Sequence, residues 1–255
     1  MSIHRRQFIG GILACGCGAP AAAAGEPMHS RIGCYIGQAG ERPITFKQSS
    51  GFARYDNSVK SAVDTVSRVI GRPIAAAVMF MDEYNALYSS VDNVLAFGKP
   101  LLDSIQGSDF DLKVICIAAH EVAHIFQYED GYFDLAQTDD TVRRNELMAD
   151  DFAGSCLAYV VNGGRRIDRG KLFRSKDSVR AAFQVMFNRG DYNFTNPNHH
   201  GTPDERLDAV DSGYEFAFEV ASGNPIGDIS KDIMDNARFG TQRLDAIRRR
   251  PDIRK

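Results

Sequence analysis

The chain has 255 residues, of which 44% are hydrophobic, 25% charged and 10% aromatic, and its formal charge is −3. That composition supplies one sizeable core and excludes a disordered tail or a collagen-like repeat, and no apolar run reaches the roughly 18–20 residues that cross a bilayer. With 30 Lys and Arg against 33 Asp and Glu there is no basic excess of the kind nucleic-acid binding calls for, so nucleic acid is not expected among the partners.

Residues 1–24 read as a signal peptide. Arg5-Arg6 precedes the modest apolar segment Phe8-Ile9-Gly10-Gly11-Ile12-Leu13-Ala14, an alanine-rich run closes it, and no acidic residue occurs before Glu26. The paired arginines with Gln7-Phe8-Ile9 resemble a twin-arginine export signal, which implies a periplasmic or extracellular protein. Removing those two from the 30 basic residues leaves 28 against 33 acidic, so the remainder carries about −5. Cys15 or Cys17 could bear a lipid anchor, although the residues before them match that signal poorly. Cys34, Cys116 and Cys156 remain, an odd number that makes no disulfide framework and leaves one bridge open.

Residues 25–56, rich in Gly, Pro and Ser, form an extended lead-in. Val59, Val63, Val66 and Ile70 recur at helical steps, predicting a helix from about Asn57 to Ile70 that Gly71 and Pro73 end. Two strands, Ile74–Met81 and Asn93–Phe97, flank a polar stretch at 82–90 and can pair as a small sheet. From Asp111 to Tyr128, Leu112, Ile115, Ala119, Val122 and Phe126 step by three and four, the spacing of one buried helical face. A second long helix follows at about Val142–Val161, closed by Gly163-Gly164, and further helices are expected at 176–189, 203–221 and 229–248. Residues 249–255 form a basic tail. No internal repeat or second domain boundary occurs between 57 and 248.

His120-Glu121-Val122-Ala123-His124 lies inside the 111–128 helix. Residues four apart project from one face about a turn apart, so both imidazoles can reach one ion, while Glu121, about 100° round, can lean over it as a base. That is the geometry of a zinc protease. Its bland alternative is two satisfied core histidines. A catalytic zinc site needs a third protein ligand and leaves its fourth position to water. Glu146, on a stripe of the second helix with Asp150, Ala153, Leu157 and Val160, is the candidate, because a carboxylate on a core-facing stripe needs a cation or hydrogen-bond partner. The alternative is a surface Glu146 paired with Arg143 or Arg144. Asp150, one turn on, is placed to accept the outer N–H of a ligating histidine, whereas Asp151 is expected in solvent. Cys116 and Cys156 are read as small buried hydrophobes rather than ligands.

His199 and His200 open the loop Gly201-Thr202-Pro203-Asp204-Glu205-Arg206. A donor opposite the nucleophile stabilises the oxyanion formed when water adds to a carbonyl, and His200 is the preferred candidate. Otherwise the loop serves only to cap a helix starting near Pro203, through its histidine, Thr202 and Asp204. Tyr214, Phe216 and Phe218 are read as local packing.

Three ordered segments now carry a resemblance: Ala119-His-Glu-Val-Ala-His-Ile-Phe-Gln127, Glu146-Leu-Met-Ala-Asp-Asp-Phe-Ala-Gly154 and His200-Gly-Thr-Pro-Asp-Glu-Arg206. Together they resemble the bacterial neutral zinc metallopeptidase family and, more distantly, are similar to the zinc-dependent CAAX prenyl proteases, which are gluzincins. The resemblance spans about residues 74–214. It implies one zinc ion on His120, His124 and Glu146, Glu121 as the catalytic base, and His200 and Arg206 in the family's matching loop. Asp151 stands where that family often has cysteine, and residues 26–71 match none of its pattern, so no substrate preference is carried over. The expected fold is α+β and zincin-like: a small sheet against two metal-bearing helices, with additional C-terminal helices. The expected activity is that of a zinc metalloendopeptidase acting on peptide or protein substrates. The alternative is an exported zinc-binding or chaperone-like protein that keeps the metal site without turnover.

Overall fold

The computed structural model describes residues 44–132, 142–162, 199–222 and 227–248, with isolated positions between 179 and 192. The signal expected at 1–24, the part of the expected lead-in up to residue 43 with Cys34, the expected basic tail and much of the helix expected at 176–189 lie outside the described residues.

The architecture is mixed α+β. Helix α1 (Ala53–Ile70) buries Val59, Val63, Val66 and Ile70 along one stripe. It begins four residues earlier than its apolar period suggests, because Asp56 in its first turn accepts the Ser50 backbone N–H at 2.9 Å and so fixes the entry. It stops at Gly71, whose left-handed φ of 76° lets its N–H return to the Ser67 carbonyl at 2.9 Å.

Three strands follow, β1 (Ala77–Met81), β2 (Ala86–Ser89) and β3 (Val94–Gly98), in the spatial order β1-β3-β2. The two expected strands pair in parallel, with Ala77 opposite Val94, and β2 adds an antiparallel edge with Ala86 opposite Phe97. β2 falls within the stretch read as polar. Side chains alternate strictly: Phe80, Ala86, Tyr88, Leu95 and Phe97 face the main core, while Met79, Met81, Leu87, Val94 and Ala96 face a small cluster closed by Ile44 and Phe46. A short helix α2 (Lys99–Ser104) leads from β3 toward α3 (Phe110–Glu129).

Helix α3 packs against α1, β2 and α4 (Arg143–Val161), and α4 packs in turn against α5 (Pro203–Ser222) and α6 (Ser230–Arg248). Every residue of α3 from Cys116 to Gln127 is buried, as is all of α4 from Arg143 to Tyr159. Over these spans the two helices are central and have no solvent face. Asp151, expected in solvent, is therefore buried; its Oδ1 accepts from Asn236 Nδ2 of α6 at 3.2 Å. Cys116 and Cys156 are buried free thiols, as read, and burial pushes the Cys116 thiol up to about 12. Tyr214 packs edge-on to Phe183.

α4 and α5 approach closely at two glycines. A Cβ on Gly154 would lie 2.0 Å from the Val210 carbonyl oxygen, and one on Gly213 would lie 1.7 Å from that of Asp151. Gly213→Ala should therefore push the helices apart and cost about 1–3 kcal/mol or more. Urea unfolding checks this, and an unchanged midpoint would contradict the close approach.

Candidate metal centre

α3 and α4 run antiparallel across the centre, for His120 meets Asp150 while His124 meets Glu146. His120, His124 and Glu146 converge, with ligand atoms all within 4.8 Å of one another, and together they could hold a metal ion. The two Nε2 atoms are 3.2 Å apart. Glu146 Oε2 lies 3.3 Å from Nε2 of His120, and its Oε1 lies 3.5 Å from Nε2 of His124. All three side chains are 0–1% exposed.

The hydrogen bonds behind these residues decide what they present to the centre. His120 Nδ1 is 2.9 Å from Asp150 Oδ1. Burial opposes ionisation of Asp150, but the Arg206 guanidinium, joined by His120, outweighs it and holds the carboxyl below its usual range. An ionised carboxylate only accepts, so His120 donates from Nδ1, and in the neutral ring Nε2 carries the lone pair. His124 Nδ1 is 2.8 Å from Gln127 Oε1, and the Gln127 amide is oriented by donating Nε2–H to the Asn145 carbonyl at 2.7 Å. His124 thus also donates from Nδ1, leaving its Nε2 lone pair toward the centre.

Burial pushes the His124 imidazole down to about 4, with Glu146 opposing and His120 adding to the fall, so it is neutral near neutral pH. Glu146 is held well below the usual range: burial works against its charge, and His200 first, then His120 and His124, outweigh it. When both rings are neutral, two nitrogen lone pairs and a carboxylate, all acceptors, share one buried point. Such a set repels itself without a cation or proton between its members, and this donor chemistry fits a metal ion.

Glu121, on α3 beside His120, is also buried at 1% exposure. His200 is buried and acts on Glu146 more strongly than any other neighbouring charge. Arg206 is fully buried; its Nε and Nη2 donate to the two Asp150 oxygens at 2.7 and 2.9 Å, and Nη2 lies 3.7 Å from Glu146 Oε2. The structure thus brings His120, His124, Glu146, Asp150 and Arg206 into one cluster. Glu146 is buried rather than a surface residue, and Arg143 pairs with Glu205.

The loop bearing His200 does cap α5, but through Glu205 rather than Asp204. Thr202 N–H donates to Glu205 Oε2 at 2.9 Å and Glu205 N–H donates to Thr202 Oγ1 at 3.3 Å, a reciprocal capping box with Pro203 at the first helical position. Arg143 grips the same carboxylate, Nη2 to Oε1 at 2.7 Å and Nε to Oε2 at 3.2 Å, which ties the start of α5 to the first turn of α4 beside Glu146. The Thr-x-x-Glu spacing announces the box. Gln127 was legible only as the residue one turn beyond His124. Against protein-family models, curated proteins and solved structures, the chain has no match.

Proposed function

We propose that the chain is a zinc-dependent metallopeptidase with a zincin-like, gluzincin-type site. The observation that carries this reading is the convergence of two imidazoles and one carboxylate from two helices. Tetrahedral zinc with ligands at about 2.0–2.1 Å separates its donor atoms by roughly 3.3 Å. The two Nε2 atoms stand 3.2 Å apart, and each is 3.3 or 3.5 Å from a different oxygen of Glu146, so the three side chains are near that spacing. Three protein ligands leave one coordination position for solvent, the arrangement of catalytic rather than structural zinc.

When bound, zinc supplies Lewis acidity, polarising the scissile carbonyl and bringing the pKa of an attacking water toward about 7. Glu121 takes the proton of that water and passes it to the leaving amine nitrogen. His200 donates a hydrogen bond to the oxygen on which negative charge develops. Asp150 keeps His120 in the tautomer whose Nε2 lone pair faces inward, and Arg206 keeps Asp150 ionised.

A second reading is a zinc-binding protein without turnover, and the burial of Glu121 and all three ligands favours it, because a substrate must reach those atoms. Metal analysis of the purified full chain, with cleavage of casein measured before and after chelation, separates the two. One zinc per chain and chelator-sensitive cleavage are expected; zinc without cleavage of casein or other unfolded substrates would favour binding alone. His124→Ala and Glu146→Ala should each lose the metal, and full occupancy in either variant would reject the ligand set. His200→Ala should lower turnover more than zinc content, and the reverse would move His200 out of the reaction.

A further inference from the structure

Gln127 touches two parts of the centre at once. Through Oε1 it accepts the Nδ1–H of His124 at 2.8 Å, and through Nε2 it donates to the carbonyl of Asn145 at 2.7 Å. Asn145 is the residue immediately before Glu146. One buried amide therefore spans α3 and α4 and fastens a ligand side chain on the first helix to the backbone that carries the ligand on the second.

Both ends of the amide are specified. If the amide were turned over, its NH2 would face the Asn145 carbonyl no longer, and two acceptor oxygens would meet. The carbonyl thus fixes which end of Gln127 meets His124, and that end, an acceptor, fixes which ring nitrogen of His124 is protonated. The arrangement differs from that at His120, where an ionised Asp150 takes the Nδ1–H. A neutral partner leaves no additional negative charge beside His124, and it adds a link to α4 that a carboxylate could not make, since a carboxylate has no donor for the Asn145 oxygen.

We infer that Gln127 is a positioning residue for the metal site: its amide sets the tautomer of His124 and the placement of Glu146 relative to it, so that two of the three ligands are held by a single side chain. This rests on the metal-site reading above. A packing residue of the same shape would fill the space equally well but would leave His124 free to carry its proton on Nε2, where it would block the metal.

The test compares the wild-type full chain with Gln127→Leu and Gln127→Glu. In the metal-free proteins, nitrogen-15 NMR of the histidine side chains reports the tautomer directly. Wild-type His124 is expected as a single Nδ1–H form, and Gln127→Leu as a mixture or as the Nε2–H form. Zinc titration against a competing chelator should show binding about 10–100-fold weaker in Gln127→Leu. An unchanged His124 tautomer in that variant, or zinc affinity within about twofold of wild type, would overturn the inference. Gln127→Glu retains the acceptor, so it should keep the Nδ1–H tautomer; a mixed tautomer there would also overturn it, and this holds even if Gln127→Leu fails to fold. Wild-type protein that binds no zinc would reject the metal site itself, while the tautomer in the metal-free chain still decides the role of Gln127.

Discussion

Glu121→Gln is expected to hold one zinc per chain and to cleave casein about 10²–10⁴-fold more slowly than the wild-type protein. The substitution keeps the size and shape of a side chain buried on α3 and leaves His120, His124 and Glu146 intact. It removes only the ability to accept a proton. Metal content and activity should therefore separate in this variant, whereas they should fall together when a ligand is removed. Unchanged cleavage would take Glu121 out of the proposed reaction, and loss of zinc would place it among the ligands.

The second large effect is on stability. Arg206 is fully buried and shares two hydrogen bonds with Asp150 while standing 3.7 Å from Glu146. Arg206→Met leaves the Asp150 carboxylate buried without its cation, a change that costs about 3–5 kcal/mol. For a domain of this size the midpoint of thermal unfolding should fall by roughly 6–20 °C. Replacing both partners, as Asp150→Leu with Arg206→Met, removes the stranded charge and should recover most of that loss in the metal-free protein. It should not recover zinc affinity, because His120 then has no acceptor for its Nδ1–H. A single variant as stable as wild type would contradict the coupled burial of these charges.

The same pair has a defined pH dependence. The carboxyl of Asp150 is held below its ordinary value of 3.8, so the unfolded chain takes up its proton first as the solution is acidified. Its contribution is complete above that ordinary value and is lost as pH falls through the lower, folded value. Asp150→Leu with Arg206→Met should flatten this part of the acid-unfolding curve. An unchanged curve would show that other groups govern it.

Much of the site was legible because helical geometry is local. His120 and His124 share a face by their spacing, and the stripe of Glu146 and Asp150 is read in the same way. What the period could not convey is how many neighbours a helix has. α4 packs against α3, α5 and α6, so Asp151, on another side from the stripe, is buried as well. The stripe on α3 was also too narrow: Leu112 and Ile115 are only partly buried, while the helix is enclosed all round from Cys116 to Gln127. β2 escaped notice because all four of its residues are buried and it is too short for alternation to register. Arg206 entered only through family resemblance, since nothing local in the sequence says that its guanidinium reaches Asp150. The role of Gln127 depends on a backbone carbonyl eighteen residues away, a partner that carries no side-chain signature.

The proposed site holds one zinc ion on His120, His124 and Glu146, from two different helices. Crystals of the zinc-loaded protein, measured on both sides of the zinc absorption edge, locate the ion by its anomalous signal. One peak is expected about 2.0–2.2 Å from both Nε2 atoms and from a Glu146 carboxylate oxygen, with no sulfur ligand. A peak elsewhere, or one bonded to Cys116, would contradict it.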